Sequence, residues 1–308
     1  MERRLVCIHG RSQHGKNPKS LRRVWAAGLN KGLTLADLPT VKTDSIVFLY
    51  YGDLIKREID ALSTRGLDDE RLVGIAARSD GMLPGIGVAA DDEVARLQIE
   101  LLGEVSQRAG RPLPPEQREA TRGILDDLQR WQALQDALDW VSDSAPWMGE
   151  KLLYLVTRDV SLYLMKKRIR DAVQASLVEQ LENEIGADES IVLLTHSLGT
   201  VVGMDLVTNW APGSKFPLMV TCGSPLGIKQ IYSKLKRQPQ PAHPEGVEQW
   251  FNAYDPRDVV ALEERLRPLF GHGLVDIKVQ NGDRPHNIDR YLAHEEVAHH
   301  IGTALAKT

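Results

Sequence analysis

An α/β fold, built on a mostly parallel sheet with helices on both faces and carrying a helical insertion, is predicted by three observations. Short β-branched runs bounded by turn residues recur along the chain, amphipathic helical patterns alternate with most of them, and one long stretch breaks that rhythm.

The runs fall at 5–9, 45–51, 190–194, 217–222, 248–253 and 274–279, each short and apolar enough to be a buried strand. Between them, 167–185 carries Ile169, Val173, Leu177 and Leu181 at four-residue spacing, an amphipathic helix leading into the strand at Ile191. A second helix is predicted over 199–210 and a last one from about 291 to 306. The stretch 54–159 reads as the insertion. It holds a Gly- and Pro-rich part at 82–88, a proline cluster (Pro112, Pro114, Pro115) and two apolar stripes, one of them Ile124, Leu128, Trp131, Leu134, Leu138 and Val141. These stripes are expected to pack against each other and the core. A helical cap over a pocket is the functional alternative, and the two are compatible.

The 308 residues are read as one elaborated domain. Hydrophobic residues make up 42% and charged residues 26%, which argues against a disordered or fibrous chain. A net charge of −4 and a pI near 6.2 give no bulk attraction to phosphate backbones or anionic lipid, so nucleic acid is not an expected partner. The apolar run at 5–8 is too short for a secretory core and none approaches a membrane span, so a cytoplasmic protein without integral membrane association is expected. Cys7 and Cys222 lie in apolar runs and read as buried thiols of a reducing compartment.

The chemical signal is Ile191-Val192-Leu193-Leu194-Thr195-His196-Ser197-Leu198-Gly199-Thr200, in which a buried strand runs into a serine and a helical pattern follows at once. A sharp strand-to-helix turn holds such a serine in a strained backbone conformation and needs small neighbours two residues to either side. Gly199 meets the second need. Thr195 departs at the first and implies a more open turn or a shifted neighbouring strand. Thr195-His196-Ser197-Leu198-Gly199 resembles the Gly-His-Ser-Leu-Gly elbow of lipase- and esterase-like α/β-hydrolases. A serine here also has an ordinary role as a helix N-cap.

Serine needs a histidine base, oriented by a carboxylate, and in the resembled family the chain order is Ser, then Asp or Glu, then His. After the strand ending near Ala253 comes Asp255-Pro256-Arg257-Asp258, where the family's acid sits. Asp258 matches it better than Asp255, which starts the turn at Pro256, although Asp is a common turn residue at either place. His286, on the loop between the final strand and the final helix, matches the family's base. His294, His299 and His300 fall in the helical pattern and read as solvated or packing residues. By the same resemblance, His9-Gly10-Arg11 follows an early strand as the oxyanion segment does. The backbone N–H groups of Arg11 and Leu198 would then hold the oxyanion, worth roughly 3 to 4 kcal/mol per donor, with His9 structural. Gly223-Ser224-Pro225-Leu226 resembles a scaffold turn of the same enzymes.

The resemblance implies hydrolysis of an acyl bond, an ester or lipid first, with no metal or organic cofactor. The apolar insertion points to an apolar acyl or alcohol part. Two alternatives stand. One is a non-catalytic hydrolase-like binding or regulatory module. The other is a nucleotide hydrolase, since Gly10-Arg11-Ser12-Gln13-His14-Gly15-Lys16-Asn17 nearly matches a phosphate-binding loop. Asn17 lacks the required hydroxyl, and Pro18 disfavours helix at Asn17. His294 and His299, at a five-residue spacing, lie about 140° apart on a helix and fail the zinc-protease pattern.

Overall fold

The β-branched runs form strands β1 (Arg3–Ile8), β2 (Val47–Leu49), β3 (Ser190–His196), β4 (Leu218–Cys222), β5 (Trp250–Tyr254) and β6 (Leu274–Lys278). They make one parallel sheet in the order β2-β1-β3-β4-β5-β6. The computed structural model describes residues 2–11, 13, 15–66, 92–108, 110–115, 133–134, 136–138, 140–141, 150–186, 188–209, 216–235, 242–261 and 265–306.

Parallel neighbours require crossovers, and helices Pro18–Leu35 and Leu198–Asn209 join β1 to β2 and β3 to β4. Strand residues alternate between faces. Leu5, Cys7, Val192, Leu194 and Val220 share one face and build a core with helices Pro18–Leu35, Ile288–Leu292 and Glu295–Ala306. The opposite face takes helix Leu198–Asn209, in which ten successive residues from Leu198 to Val207 are buried. Beside it runs helix Lys167–Glu184. Its Gln174 amide donates to the Val202 carbonyl, and its Gln180 amide both donates to the Tyr50 carbonyl and accepts from the Tyr50 N–H. The predicted stripe of Ile169, Val173, Leu177 and Leu181 is buried throughout.

From β1 the chain steps outward to β2, then returns to the other side of β1 for β3 and continues to β6. The direction reverses between β1 and β3, and the carboxyl ends of strands flanking such a switch point form the crevice where α/β proteins bind ligands. Ser197 directly follows β3, and Gly10 directly follows the end of β1 by two residues.

The chain divides into two compact units, Met1–Tyr51 with Val173–Thr308, and Gly52–Ala172. The second holds helices Gly52–Gly66, Asp92–Arg108 and Glu150–Met165, so the predicted insertion boundary at 159 falls inside a helix and the unit runs further. Helices Asp92–Arg108 and Glu150–Met165 pack together, and Leu97, Leu101 and Leu102 on one and Tyr154 and Tyr163 on the other are buried. Buried Gln98 donates to the Tyr154 carbonyl at 3.0 Å, which fixes their register. Of the longer stripe, Leu134, Leu138 and Val141 are buried, whereas Ile124, Leu128 and Trp131 lie outside the described residues, as does 82–88. Among the described residues no helix is long and apolar enough to cross a membrane.

Candidate active site

Ser197 has φ +54°, one of two non-glycine residues with positive φ among those described. A β-carbon is strained in that region, so the turn has to be held from both sides. The Ser197 N–H donates to the Cys222 carbonyl at 3.1 Å, and the Thr200 N–H donates to the Ser197 carbonyl at 2.9 Å. Close approach is provided by missing β-carbons. One on Gly199 would lie 2.4 Å from the His9 carbonyl oxygen, and one on Gly10 would lie 2.9 Å from Cβ of Ser197.

Thr195 leaves the pairing of β3 with β4 intact, where the sequence reading expected a more open turn or a shifted neighbouring strand. Pairing stays in register through Thr195↔Thr221 and His196↔Cys222. The Thr195 side chain fits because residue 203, in the helix above it, is glycine, and its hydroxyl donates to the Val220 carbonyl. The small residue that the elbow requires stands in the helix instead of the strand.

The Ser197 hydroxyl lies 3.0 Å from His286 Nε2, and His286 Nδ1 lies 2.8 Å from Asp258 Oδ2 and 3.0 Å from Oδ1. With the carboxylate accepting at Nδ1, the proton of a neutral imidazole sits there and Nε2 is left to accept from the serine. Asp258 is fully buried and receives two further donors, the Val260 N–H at 3.0 Å and the Tyr291 hydroxyl at 2.7 Å. The His286 side chain retains 14% exposure, so the imidazole reaches solvent while the Asp258 carboxylate does not. Gly223, at φ +55°, closes this corner. A β-carbon there would lie 2.8 Å from Asp258 Oδ2 and 3.2 Å from His286 Nδ1.

Asp255 is placed elsewhere. Its carboxylate accepts from the backbone N–H groups of Arg257 and Asn281, tying the loop after β5 to the loop after β6. The two acids left open by sequence therefore divide, one at the histidine and one in the scaffold beneath it.

His196 sits against His286, with ring centroids 4.7 Å apart, and its Nε2 lies 2.8 Å from the His286 carbonyl oxygen. That contact makes His196 Nε2–H a donor. Loss of hydration, then the neighbouring His286, push its pKa down to about 3, so it stays neutral. His294 Nε2 meets the Asn281 side-chain oxygen, and His300 stacks on Phe251 at 3.8 Å. Both are packing residues. The predicted helix 291–306 is broken at Ala293 and His294 into Ile288–Leu292 and Glu295–Ala306.

Of the two oxyanion donors expected from sequence, Leu198 opens helix Leu198–Asn209, where the first N–H groups have no intrahelical acceptor and the helix dipole is positive. Arg11 is buried and follows Gly10, the residue in closest approach to Ser197 from β1. This loop is shaped by the end of β2. Tyr51 donates its N–H to His9 Nε2 at 3.1 Å and its hydroxyl to the His9 carbonyl at 2.8 Å, while its ring stacks on the imidazole. His9 Nε2 thus accepts, and Nδ1–H donates to the Gly10 carbonyl.

Among the described residues of 10–17, the helix that a phosphate-binding loop requires is not under way at its Gly-Lys pair. Asn17 is extended (φ −73°, ψ 120°), caps the Lys19 N–H, and the helix starts only at Pro18, beyond Lys16; Ser12 and His14 lie outside the described residues. Among the described residues no group of three or more His, Cys, Asp or Glu side chains could hold a metal ion, and Cys7 and Cys222 are buried free thiols. Tyr291 and Gly203 had no signal in the sequence reading; a tyrosine just after the candidate base is visible only once the fold turns it onto Asp258. No protein-family model, curated protein or solved structure matches the chain.

Proposed function

We propose that this chain is a serine hydrolase of the α/β-hydrolase type that cleaves an acyl bond through an acyl-enzyme. The observation that carries the proposal is Ser197 at φ +54° with its hydroxyl 3.0 Å from His286 Nε2, while His286 Nδ1 meets buried Asp258 at 2.8 Å. A plain helix-capping serine requires neither the strained backbone nor the histidine. The chain order Ser, Asp, His agrees with that of the resembled family.

In this reading His286 Nε2 takes the serine proton as Oγ bonds to the substrate carbonyl carbon, and Asp258 stabilises the imidazolium. The backbone N–H groups of Leu198 and Arg11 stabilise the tetrahedral oxyanion. His286 then protonates the leaving alcohol, and water attacks the acyl-enzyme with His286 again as base, which restores the serine. The chemistry requires no cofactor. An ester or lipid with an apolar part is the substrate class favoured by the apolar stripes in the sequence of the 54–159 insertion, in a cytoplasmic setting suited to two buried thiols.

Rapid mixing of the protein with p-nitrophenyl esters of increasing acyl length tests this. A burst of one nitrophenolate per protein, followed by slower turnover and absent in Ser197→Ala, is the expected result. Turnover that is equal in wild type and Ser197→Ala would overturn it.

A further inference from the structure

We infer that Tyr291 is a positioning residue of the proposed hydrolase, holding the Asp258 carboxylate in place through a hydrogen bond whose direction the fold fixes. The inference rests on the serine-hydrolase reading and concerns a group outside the Ser197, His286, Asp258 set.

The Tyr291 hydroxyl has two partners, the Asp255 N–H at 3.1 Å and Asp258 Oδ2 at 2.7 Å. The N–H can only donate, so the hydroxyl oxygen accepts there and its own proton goes to the carboxylate. Tyr291 is fully buried, a position in which a phenol hydroxyl needs partners. Burial and the adjacent Asp258 push its pKa well above the ordinary value, so it remains a donor across the working range. Oδ2 is also the oxygen nearest His286 Nδ1, so phenol and imidazole share one acceptor atom. The phenol therefore takes up part of the negative charge that the imidazolium would otherwise feel.

The connection is also mechanical. Tyr291 lies on helix Ile288–Leu292, which begins two residues after His286, and its hydroxyl reaches the 255–258 loop after β5. The helix that follows the His286 loop is thereby fastened to the loop carrying Asp258.

The charged and titratable groups around this assembly are few. His196 faces it from the end of β3 as a neutral donor to the His286 carbonyl. Cys222 faces it from the end of β4 as a thiol kept protonated by burial. Asp255 lies on the β5 loop with its carboxylate engaged by the Arg257 side chain and the Arg257 and Asn281 N–H groups. On the tyrosine's own helix Arg290 pairs with Asp283 at 3.6 Å, and from helix Pro18–Leu35 Lys31 acts on His294. Within this set Tyr291 is the side-chain donor to Asp258 other than the base itself.

Tyr291→Phe removes one oxygen atom. In a variant that retains wild-type circular dichroism, kcat for a p-nitrophenyl ester falls roughly tenfold, a fraction of what a positioned general base contributes, with KM unchanged. More negative charge then faces the imidazolium, so the acid limb of the kcat/KM profile moves to higher pH. In an Asp258→Ala background the same substitution leaves kcat unchanged, because the tyrosine acts through Asp258. Site-specific 3-fluorotyrosine at 291, a stronger donor, moves the limb down and serves as the test if Tyr291→Phe does not fold. An active wild type whose acid limb is the same with Phe or fluorotyrosine at 291 overturns this inference and leaves the hydrolase reading standing. A wild type with no serine-dependent turnover removes the reading on which it rests.

Discussion

A β-carbon placed on Gly203 would lie 2.8 Å from Cγ2 of Thr195, one helix turn above the strand that delivers Ser197. The pair explains how a β-branched residue is tolerated at a position where the resembled elbow has glycine. Steric room at the turn is a property of the strand and helix together, and here it is supplied by the helix.

Gly203→Ala should therefore destabilise the protein by about 1–3 kcal/mol through overpacking, although Gly→Ala in a helix interior is otherwise favourable by roughly 1 kcal/mol. Thr195→Ser removes the obstructing methyl and keeps the hydroxyl that bonds the Val220 carbonyl. The double variant Thr195→Ser/Gly203→Ala should recover much of the loss. Urea unfolding of the four proteins measures the coupling, and strictly additive effects would rule out the steric account.

Asp255 and Asp258 should separate cleanly by assay. Asp258→Asn should lower kcat by about 10⁴-fold with folding retained, because the amide cannot hold the Nδ1–H tautomer. Asp255→Ala leaves the N–H groups of Arg257 and Asn281 without their carboxylate and should cost about 1–3 kcal/mol of stability. Its loss of kcat should be far smaller at temperatures where it is folded. The reverse pattern in paired kinetic and unfolding measurements would exchange their roles.

His196, the residue before Ser197, should set an acid limit on folding. The His196 pKa falls from the ordinary 6.5 to about 3 on folding, so between these values the unfolded chain binds the extra proton. Stability from this group is thus complete above the upper value and is lost as pH falls, at most about 1.4 kcal/mol per pH unit. His294 and His300, both depressed by burial, add in the same direction. His196→Gln removes the largest of these titrations, and unfolding free energies between about pH 4 and 6.5 should become flatter than in wild type. An unchanged slope would exclude His196 as the source.

All six strands were readable because each is a short apolar run closed by turn residues, and their edges moved for local reasons. β2 is shorter than 45–51 because 43–45 forms a 3₁₀ turn, while the N–H groups of Tyr50 and Tyr51 go to Gln180 and His9. The break in the last helix was hidden, since His294 leaves the helical pattern to reach Asn281, thirteen positions earlier in sequence but adjacent in space. Ser197, His286 and Asp258 were nominated by resemblance to the α/β-hydrolase family, whose elbow motif, chain order and loop positions are linear features that a sequence can display. Gly203 and Tyr291 act across the fold, on Thr195 and Asp258, and nothing in the linear spacing marks them.

The central claim, that Ser197 is an activated nucleophile, is tested most directly by reaction with a fluorophosphonate probe and mass mapping of the labelled peptide. The account predicts one adduct per chain on Ser197, none in Ser197→Ala, and strongly slowed labelling in His286→Ala. Folded wild-type protein that takes up no label, or that is labelled equally well after Ser197→Ala, would contradict it.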